Sequence, residues 1–270
     1  MIDNTAVFIL SHQRANKITT NMVLRKCGYT GKIYILIDDT DTQLNDYKEI
    51  FGEDCIVFNK MEQLKTTDSC DNFGNLKTPL YARNYCFELA KKLNLDYFIM
   101  ADDDITDLKY AYVNNEGDFI RSKITNIDRV INSLVTFIDA SSNISSCSFA
   151  FSGEYFGGKN GKYREGLGRT IQQFILFKAD SPARFLSSKN EDLNISIANF
   201  DKLFFEVFDL CVVSPQRMTN EGGISYSSMY ENNMYTLMLM PSAIKLFTTG
   251  KMRKQNNNIY PKILSGRYKK

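Results

Sequence analysis

Three consecutive carboxylates, Asp102, Asp103 and Asp104, follow directly on the apolar run that starts at Tyr97. That run is short and rich in β-formers from Tyr97 to Met100, which predicts a buried strand. Acids at its carboxyl end would emerge where open α/β sheets bind ligands. Adjacent carboxylates repel one another strongly when desolvated, so a divalent cation is their natural neutraliser, and such a cation can hold a pyrophosphate against the sheet. The alternative is an ordinary Asp-rich turn, since Asp tolerates turn geometry and bonds nearby amides. The surroundings favour the metal.

Other polar groups are spaced to join the same crevice. Past the first β-like run come Ser11, His12 and Arg14. His12 is suited to a nucleobase and Arg14 to a phosphate, while Ser11 or Asn16 can instead cap the next helix. Arg83 and Asn84 are polar on an otherwise apolar helix. Arg suits pyrophosphate or the organisation of carboxylates, and equally a structural Arg–Asp pair. Glu191 and Asp192 open a later helix, where a carboxylate can act as general base or simply favour the helix dipole. The glycine-dense segment 153–169 carries Lys159, Lys162, Arg164 and Arg169 without a Gly-Lys-Ser/Thr phosphate loop. It is a candidate for diphosphate or a polyanionic acceptor, or a long hairpin turn. From Lys251 onward, Lys251, Arg253 and Lys254 begin an acid-free basic tail, fit for nucleic-acid phosphates or for a solvated terminus. The segment Asn220–Tyr226 is too generic to assign alone and is a candidate acceptor-side loop.

The elements that must position these groups alternate in the first half. Thr5–Leu10 predicts a strand, Asn16–Lys26 a helix ended near Gly28, Lys32–Ile37 a strand, and Asp41–Ile50 a helix with an acidic N-cap. Cys55–Phe58 predicts a third strand, Thr66–Lys77 a polar loop, and Pro79–Leu93 a helix whose proline suits the first turn. This order predicts an α/β fold with a mostly parallel sheet. The second half is less regular. Asp107–Lys123 reads as an extended excursion and Ile127–Ala140 as a helix. Thr170–Lys178 reads as a strand, Asp192–Phe200 as a helix and Phe204–Val213 as β-rich. Tyr226–Leu246 reads as a helix interrupted at Pro241. No repeat or low-complexity linker divides the chain. Residues 1–270 are expected to form one domain, with a nucleotide side to residue 104 and an acceptor side from 105.

Composition bounds the rest. The 270 residues are 43% apolar and 24% charged, enough for a substantial core with ordinary surface charge. Net charge is +2, which by itself says nothing about polyanion binding. No apolar run is long enough to span a bilayer, and the start lacks a secretory pattern, so a cytoplasmic protein without membrane contact is expected. Cysteines 27, 55, 70, 86, 147 and 211 form no Cys-x-x-Cys pair and read as buried thiols. His12 is the only histidine, which excludes a multi-histidine metal site.

Taken in order, these pieces resemble a nucleotide-sugar glycosyltransferase of the GT-A type. The carriers are Ser11-His-Gln-Arg14, Asp38-Asp39, Ala82-Arg-Asn84, Asp102-Asp-Asp104 and Glu191-Asp192, over the first three quarters of the chain. The resemblance implies that Asp102 and Asp104 hold Mn²⁺ or Mg²⁺ and the donor diphosphate, with Asp103 toward sugar or ribose. It implies His12 and Asp39 near the nucleoside, Arg83 near diphosphate or sugar, and a UDP-sugar as co-substrate. Glu191 or Asp192 matches the base position of inverting members, although a retaining reaction stays open. The chain departs from many metal-dependent members in having no histidine after His12. Its compact layout is similar to the TET/JBP-associated branch, many from phages, which glycosylate hydroxymethylated pyrimidines in DNA. That implies a DNA partner, with Tyr155, Phe156 and Tyr163 stacking on a base or else filling the core, and, for a phage enzyme, the host cytoplasm. Competing expectations are a glycan or protein acceptor, a nucleotidyltransferase and a non-catalytic nucleic-acid-binding protein. A nucleotidyltransferase would want a glycine-rich basic loop after Leu10, which is missing.

Overall fold

The computed structural model describes residues 4–71, 74–151, 167–168, 171–199, 201–215, 229–242, 244–249 and 258–263. Four strands form its parallel part: β1 (Thr5–Leu10), β2 (Lys32–Asp38), β3 (Cys55–Phe58) and β4 (Tyr97–Asp102). They lie in the order β3-β2-β1-β4. The chain therefore moves outward from β1 in one direction, to β2 and β3, and then returns to β1's other side as β4. That reversal creates a crevice at the carboxyl ends of β1 and β4, the place where such sheets receive ligands.

The sheet continues through strands of mixed direction. A hairpin of β5 (Asp107–Val113) and β6 (Phe119–Lys123) precedes β7 (Ile144–Phe151), β8 (Leu167–Gly168), β9 (Phe174–Lys178) and β10 (Leu203–Val213). β9 runs antiparallel between β4 and β7, β10 is parallel to β7, and the hairpin closes the far edge. β8 pairs with β10, and β11 (Ile244–Thr249) with β12 (Asn258–Ile263) forms a separate ribbon. The α/β class is as expected.

Period-two alternation gives the sheet two apolar faces. On one, Val7, Ile9, Ile35, Ile99 and Ala101 pack with α1 (Thr20–Lys26), α2 (Leu44–Phe51) and α5 (Ile127–Asp139). On the other, Ala6, Phe8, Phe98 and Met100 meet α4 (Leu80–Lys92) and α6 (Glu191–Ala198). Phe87 of α4 stands edge-on to Phe98 and Phe177, with ring centroids 5.0 Å from each. Edge-to-face contact adds to the burial of these large rings and fixes the rotation of α4.

Several expected elements differ in detail. The helix foreseen over 16–26 is a 3-10 turn at Ala15–Lys17, a break, and then α1. The break follows from Thr19 and Thr20, which bond the backbone after β4 instead of extending a helix. α1 does stop where foreseen: Gly28 has φ +84, and a Cβ there would lie 2.8 Å from the Thr125 carbonyl oxygen. α2 begins at Leu44, later than Asp41, because the Asp41 carboxylate accepts from the Gln13 and Gln43 amides. The polar loop begins later than foreseen, since Lys60–Thr66 forms α3, capped by Asn59 accepting from the Glu62 amide. The helix foreseen over 226–246 is α7 (Met229–Leu239) followed after Pro241 by β11. β7 was not foreseen; its serines mask a strand buried at every position but the last.

The turn after β4 is held by hydroxyls of α1. Thr20 Oγ1 donates to the Asp102 carbonyl at 2.6 Å and accepts from the Ile105 amide at 3.0 Å. Thr19 bonds Asp103 through its amide and Ile105 through its hydroxyl. Thr20 is fully buried. Thr20→Val keeps the shape and leaves two buried backbone groups without their partner, each worth about 1–3 kcal/mol. Urea unfolding of this variant is expected to show a loss of about 2–6 kcal/mol.

Candidate active site

The pairing of β1 with β4 sets Leu10 opposite Asp102. One residue further, Ser11 and Asp103 meet on the α2 side of the sheet. Ser11 Oγ donates to Asp103 Oδ2 at 2.6 Å, and Arg14 Nη1 donates to Asp103 Oδ1 at 2.9 Å. Burial raises the Asp103 pKa, while Ser11 and Arg14 pull against that rise. Tyr47, fully buried on α2, organises the loop: its hydroxyl is 2.7 Å from Ser11 Oγ and accepts from the Arg14 amide at 2.9 Å. Ser11 and Arg14 thus spend polar groups on an internal partner, a use the sequence did not disclose.

Asp102 has the other parity and faces α4 and α6. Burial pushes its pKa up to about 6, Arg83 offsets part of that, and the charges of Asp104 and then Asp103 add to it. Arg83 is itself buried, with its guanidinium over the Phe185 ring at 5.2 Å. Its Nε lies 3.5 Å from Glu191 Oε1. Burial disfavours the Arg83 charge, but Glu191, Asp102 and Asp192 outweigh it in that order. Glu191 is buried and its pKa is raised by that burial, with Arg83 opposing. Asp192 is only half-buried, and its Oδ1 accepts from the Leu193 amide. Among the described residues the Asp104 side chain has no hydrogen bond or ion pair.

The approach to α6 is a strapped turn. Ser187 and Asn190 both adopt left-handed backbone, φ +73 and +51. The Ser187 and Ser188 amides donate to the carbonyls of Asp68 and Ser69, each at 3.0 Å. Ser188 Oγ and the Tyr235 hydroxyl both donate to Asp71 Oδ2. Asn194 Nδ2 donates to the Lys189 carbonyl at 2.8 Å, and Asn190 Nδ2 to Thr236 on α7. Asn84, expected toward the donor, is buried instead. It exchanges two 2.9 Å bonds with the Phe185 backbone and so holds the segment leading into this turn.

A second polar corner lies at the ends of β1 and β2. His12 Nδ1 is 3.1 Å from Asp38 Oδ2 and 3.3 Å from Asp41 Oδ2, and the ring is half-exposed. Burial alone would raise Asp38, but bonds from His12, Thr40 and Lys60 hold it well below the usual carboxylate range. Lys60 Nζ stands 3.1 Å from Asp38 Oδ2. Asp39 is exposed beside this corner and accepts from the Lys60 amide.

The structure therefore gathers Asp102, Arg83, Glu191 and Asp192 on one face, with Asp104 in the turn, where its charge acts on both Asp102 and Asp103. Ser11, Arg14 and Asp103 gather on the other, with His12 and Asp39 at the rim. Lys159, Lys162, Arg164, Arg169, Lys251, Arg253 and Lys254 lie outside the described residues, as do Tyr155, Phe156, Tyr163 and Asn220–Tyr226. Tyr47, Thr19, Thr20, Asp41 and Lys60 were missed. Each acts through a contact distant in sequence, and only the Thr-Thr pair at the start of α1 carries a local signal, that of a helix start.

The donor set fits a hard divalent cation. Asp102 and Asp104 present carboxylate oxygens, and no group of three His, Cys, Asp or Glu ligands forms among the described residues. Mg²⁺-type ions are commonly held by one or two carboxylates, with phosphates and waters completing the shell. A raised acid pKa means that the folded state binds a proton more tightly than the unfolded chain, so stability falls as pH rises through the window between the two values. For Asp102, with about 6 folded against 3.8 for the free side chain, the loss is on the order of 3 kcal/mol between pH 4 and 6. The raised Glu191 acts in the same sense. The metal-free protein is expected to melt at lower temperature at pH 7 than at pH 5, and Mn²⁺ to restore stability at pH 7 but hardly at pH 5. Calorimetry with and without Mn²⁺ checks both halves.

No curated protein matches the chain in sequence. Among solved structures it is similar to glucosyl-3-phosphoglycerate synthase of Mycobacterium tuberculosis in complex with Mg²⁺ and uridine diphosphate. Identity is 12% and the TM-score 0.47, over 91% of this chain and 83% of that one. The same synthase with Mn²⁺, uridine diphosphate and phosphoglyceric acid aligns at 11% and 0.47, over 90% and 83%. A CMP:2-keto-3-deoxy-manno-octonic acid synthetase complexed with CTP aligns at 10% and 0.38, over 88% and 100%. In sequence, the family model of the TET-associated glycosyltransferases matches residues 5–223, so the chain belongs to that family of glycosyltransferases.

Proposed function

We propose that this chain is a metal-dependent GT-A glycosyltransferase that moves a sugar from a nucleoside-diphosphate donor, a UDP-sugar, to the hydroxyl of a 5-hydroxymethylpyrimidine in DNA. The observation that carries the reading is the set of carboxylates at the β1/β4 switch point, with Asp102 and Asp104 on one side and the start of α6 on the other. Asp102 and Asp104 would hold Mn²⁺ or Mg²⁺. When bound, the metal would supply Lewis-acid stabilisation to the departing diphosphate. His12 and Asp39 would border the nucleoside, and Asp103, already oriented by Ser11 and Arg14, the ribose or sugar.

Asp192 is assigned the general base. A base must be reachable by the acceptor hydroxyl. Glu191 is sequestered against Arg83, whereas Asp192 is half-buried and has a second carboxylate oxygen unused by its own helix. Asp192 would take the hydroxyl proton as the acceptor oxygen attacks the anomeric carbon in line, inverting it. Glu191 would keep Arg83 in place. Family membership supports the reaction class. The DNA acceptor rests on the similarity to enzymes acting on hydroxymethylated pyrimidines, and would require the base to be flipped or reached from the major groove.

The test is a mass-spectrometric assay with Mn²⁺, a panel of nucleotide sugars, and DNA containing 5-hydroxymethylcytosine or unmodified cytosine. A hexose or pentose gain on the hydroxymethylated nucleoside alone is expected. Free nucleoside diphosphate without a DNA product would remove the DNA acceptor and leave the transferase. In the same assay Asp102→Ala and Asp104→Ala are each expected to abolish turnover. Asp192→Asn should lose at least about 10²-fold, the usual scale for a positioned base. Glu191→Gln should retain more activity than Asp192→Asn; the reverse order would move the base to Glu191.

A further inference from the structure

We infer that His12 is a specificity-determining residue, whose Nε2 accepts a hydrogen bond from the ring N–H of the donor base, N3–H where that base is uracil. The inference rests on the donor reading above and deepens it, because it names the atom of the base that is read. Nδ1 of His12 is buried between two carboxylates, 3.1 Å from Asp38 Oδ2 and 3.3 Å from Asp41 Oδ2, whereas 37% of the side chain is exposed. Asp38 is held well below the usual carboxylate range and is ionised. Asp41 accepts from two backbone amides, that of Gln13 through Oδ2 and that of Gln43 through Oδ1. Nδ1 therefore faces acceptors, and a proton on it is what keeps lone pairs from opposing lone pairs. In the neutral ring that proton fixes the tautomer and leaves Nε2 as an acceptor. Nε2 is open to solvent, with neither a hydrogen bond nor an ion pair among the described residues.

The loop holds this ring in place. The amides of Ser11, Gln13 and Arg14 donate to the Leu36 carbonyl, the Asp41 carboxylate and the Tyr47 hydroxyl, and Gln13 is fixed at φ +54. Charge decides which part of the donor comes here. Asp38, Asp39 and Asp41 stand against Lys60, which is buried and 3.1 Å from Asp38. Such a corner repels a phosphate and suits a neutral group that brings N–H or O–H donors. Ser11, the residue before His12, donates to Asp103, so the corner is continuous with the acids after β4. A donor with its diphosphate at those acids turns its nucleoside, the part rich in such donors, toward His12. Once N1 carries the ribose, uracil has a single N–H, at N3. Cytosine carries a lone pair at the same place, which would face the lone pair of Nε2.

Calorimetric titration with Mg²⁺ and UDP, N3-methyl-UDP or CDP tests this in the wild type, His12→Ala and His12→Gln. The wild type should bind N3-methyl-UDP and CDP about tenfold or more weakly than UDP, the scale of one hydrogen bond lost with its partner left facing the gap. In His12→Ala the UDP and CDP affinities should lie within about twofold of each other. His12→Gln, whose amide oxygen is an acceptor on a side chain of similar reach, should keep part of the preference for UDP. His12 is the only histidine, so ¹⁵N spectra of its ring are read without ambiguity. In the complex with Mg²⁺ and UDP the ring should be neutral with its proton on Nδ1. That spectrum and the wild-type ligand series decide the matter if His12→Ala fails to fold. A proton on Nε2 in the UDP complex, equal affinity of the wild type for UDP and CDP, or an undiminished UDP preference in His12→Ala would overturn the inference. Failure of the wild type to bind UDP would overturn the donor reading itself, a distinct result.

Discussion

Three neighbouring carboxylates at the end of a buried strand cannot be stabilised on a single face. Their mutual repulsion and their desolvation act together, and both grow as the environment becomes less polar. The strand's own alternation separates them. Asp103 turns toward α2 and is met by Ser11 and Arg14, while Asp102 turns toward α4 and is met at longer range by Arg83. Each face then needs its own support, and the neighbouring elements supply it. Tyr47 fixes Ser11 and the Arg14 backbone on one side; Phe185 and Glu191 fix Arg83 on the other. The turn that carries the acids is held by Thr19 and Thr20, so the start of α1 is also part of the site.

The apolar core has a direct part in this arrangement. Arg83 and Phe87 are four residues apart on α4 and so project from the same side of the helix. Phe87 locks into the Phe98 and Phe177 rings, which sets how α4 rotates against β4. Asn84, on the next position, captures the Phe185 backbone and with it the approach to α6. Packing deep in the sheet thereby determines how far the Arg83 guanidinium stands from Glu191.

The first half of the chain was legible because each signal there is local. Short β-rich runs ending in polar clusters, Gly28 after a helix and Pro79 before one all report on neighbouring residues. β7 was not legible: Ser145, Ser146 and Ser148 break the apolar pattern, and only their burial between β9 and β10 shows that the segment is a strand. The motif residues stand at strand ends and helix starts as their runs imply, yet their partners were not foreseen. That Arg14 answers Asp103 depends on the β1/β4 register, and that Asn84 faces Phe185 depends on a contact across a hundred residues.

Strain is distributed in the same way as charge. Asparagine enters the left-handed region at low cost, and Asn4 and Asn94 do so away from the crevice. The residues for which that conformation is costlier are Gln13, Cys70, Gln173 and Ser187. Gln13 donates its amide to Asp41 in the loop after β1, and the Gln173 carbonyl accepts from the Asp102 amide. Cys70 and Ser187 belong to the two segments strapped together before α6. Unfavourable backbone of this kind persists only where the surrounding contacts over-determine it. Here it coincides with the raised carboxyls of Asp102, Asp103 and Glu191. Backbone strain and raised carboxyls therefore share one end of the sheet, the end at which open α/β sheets receive ligands.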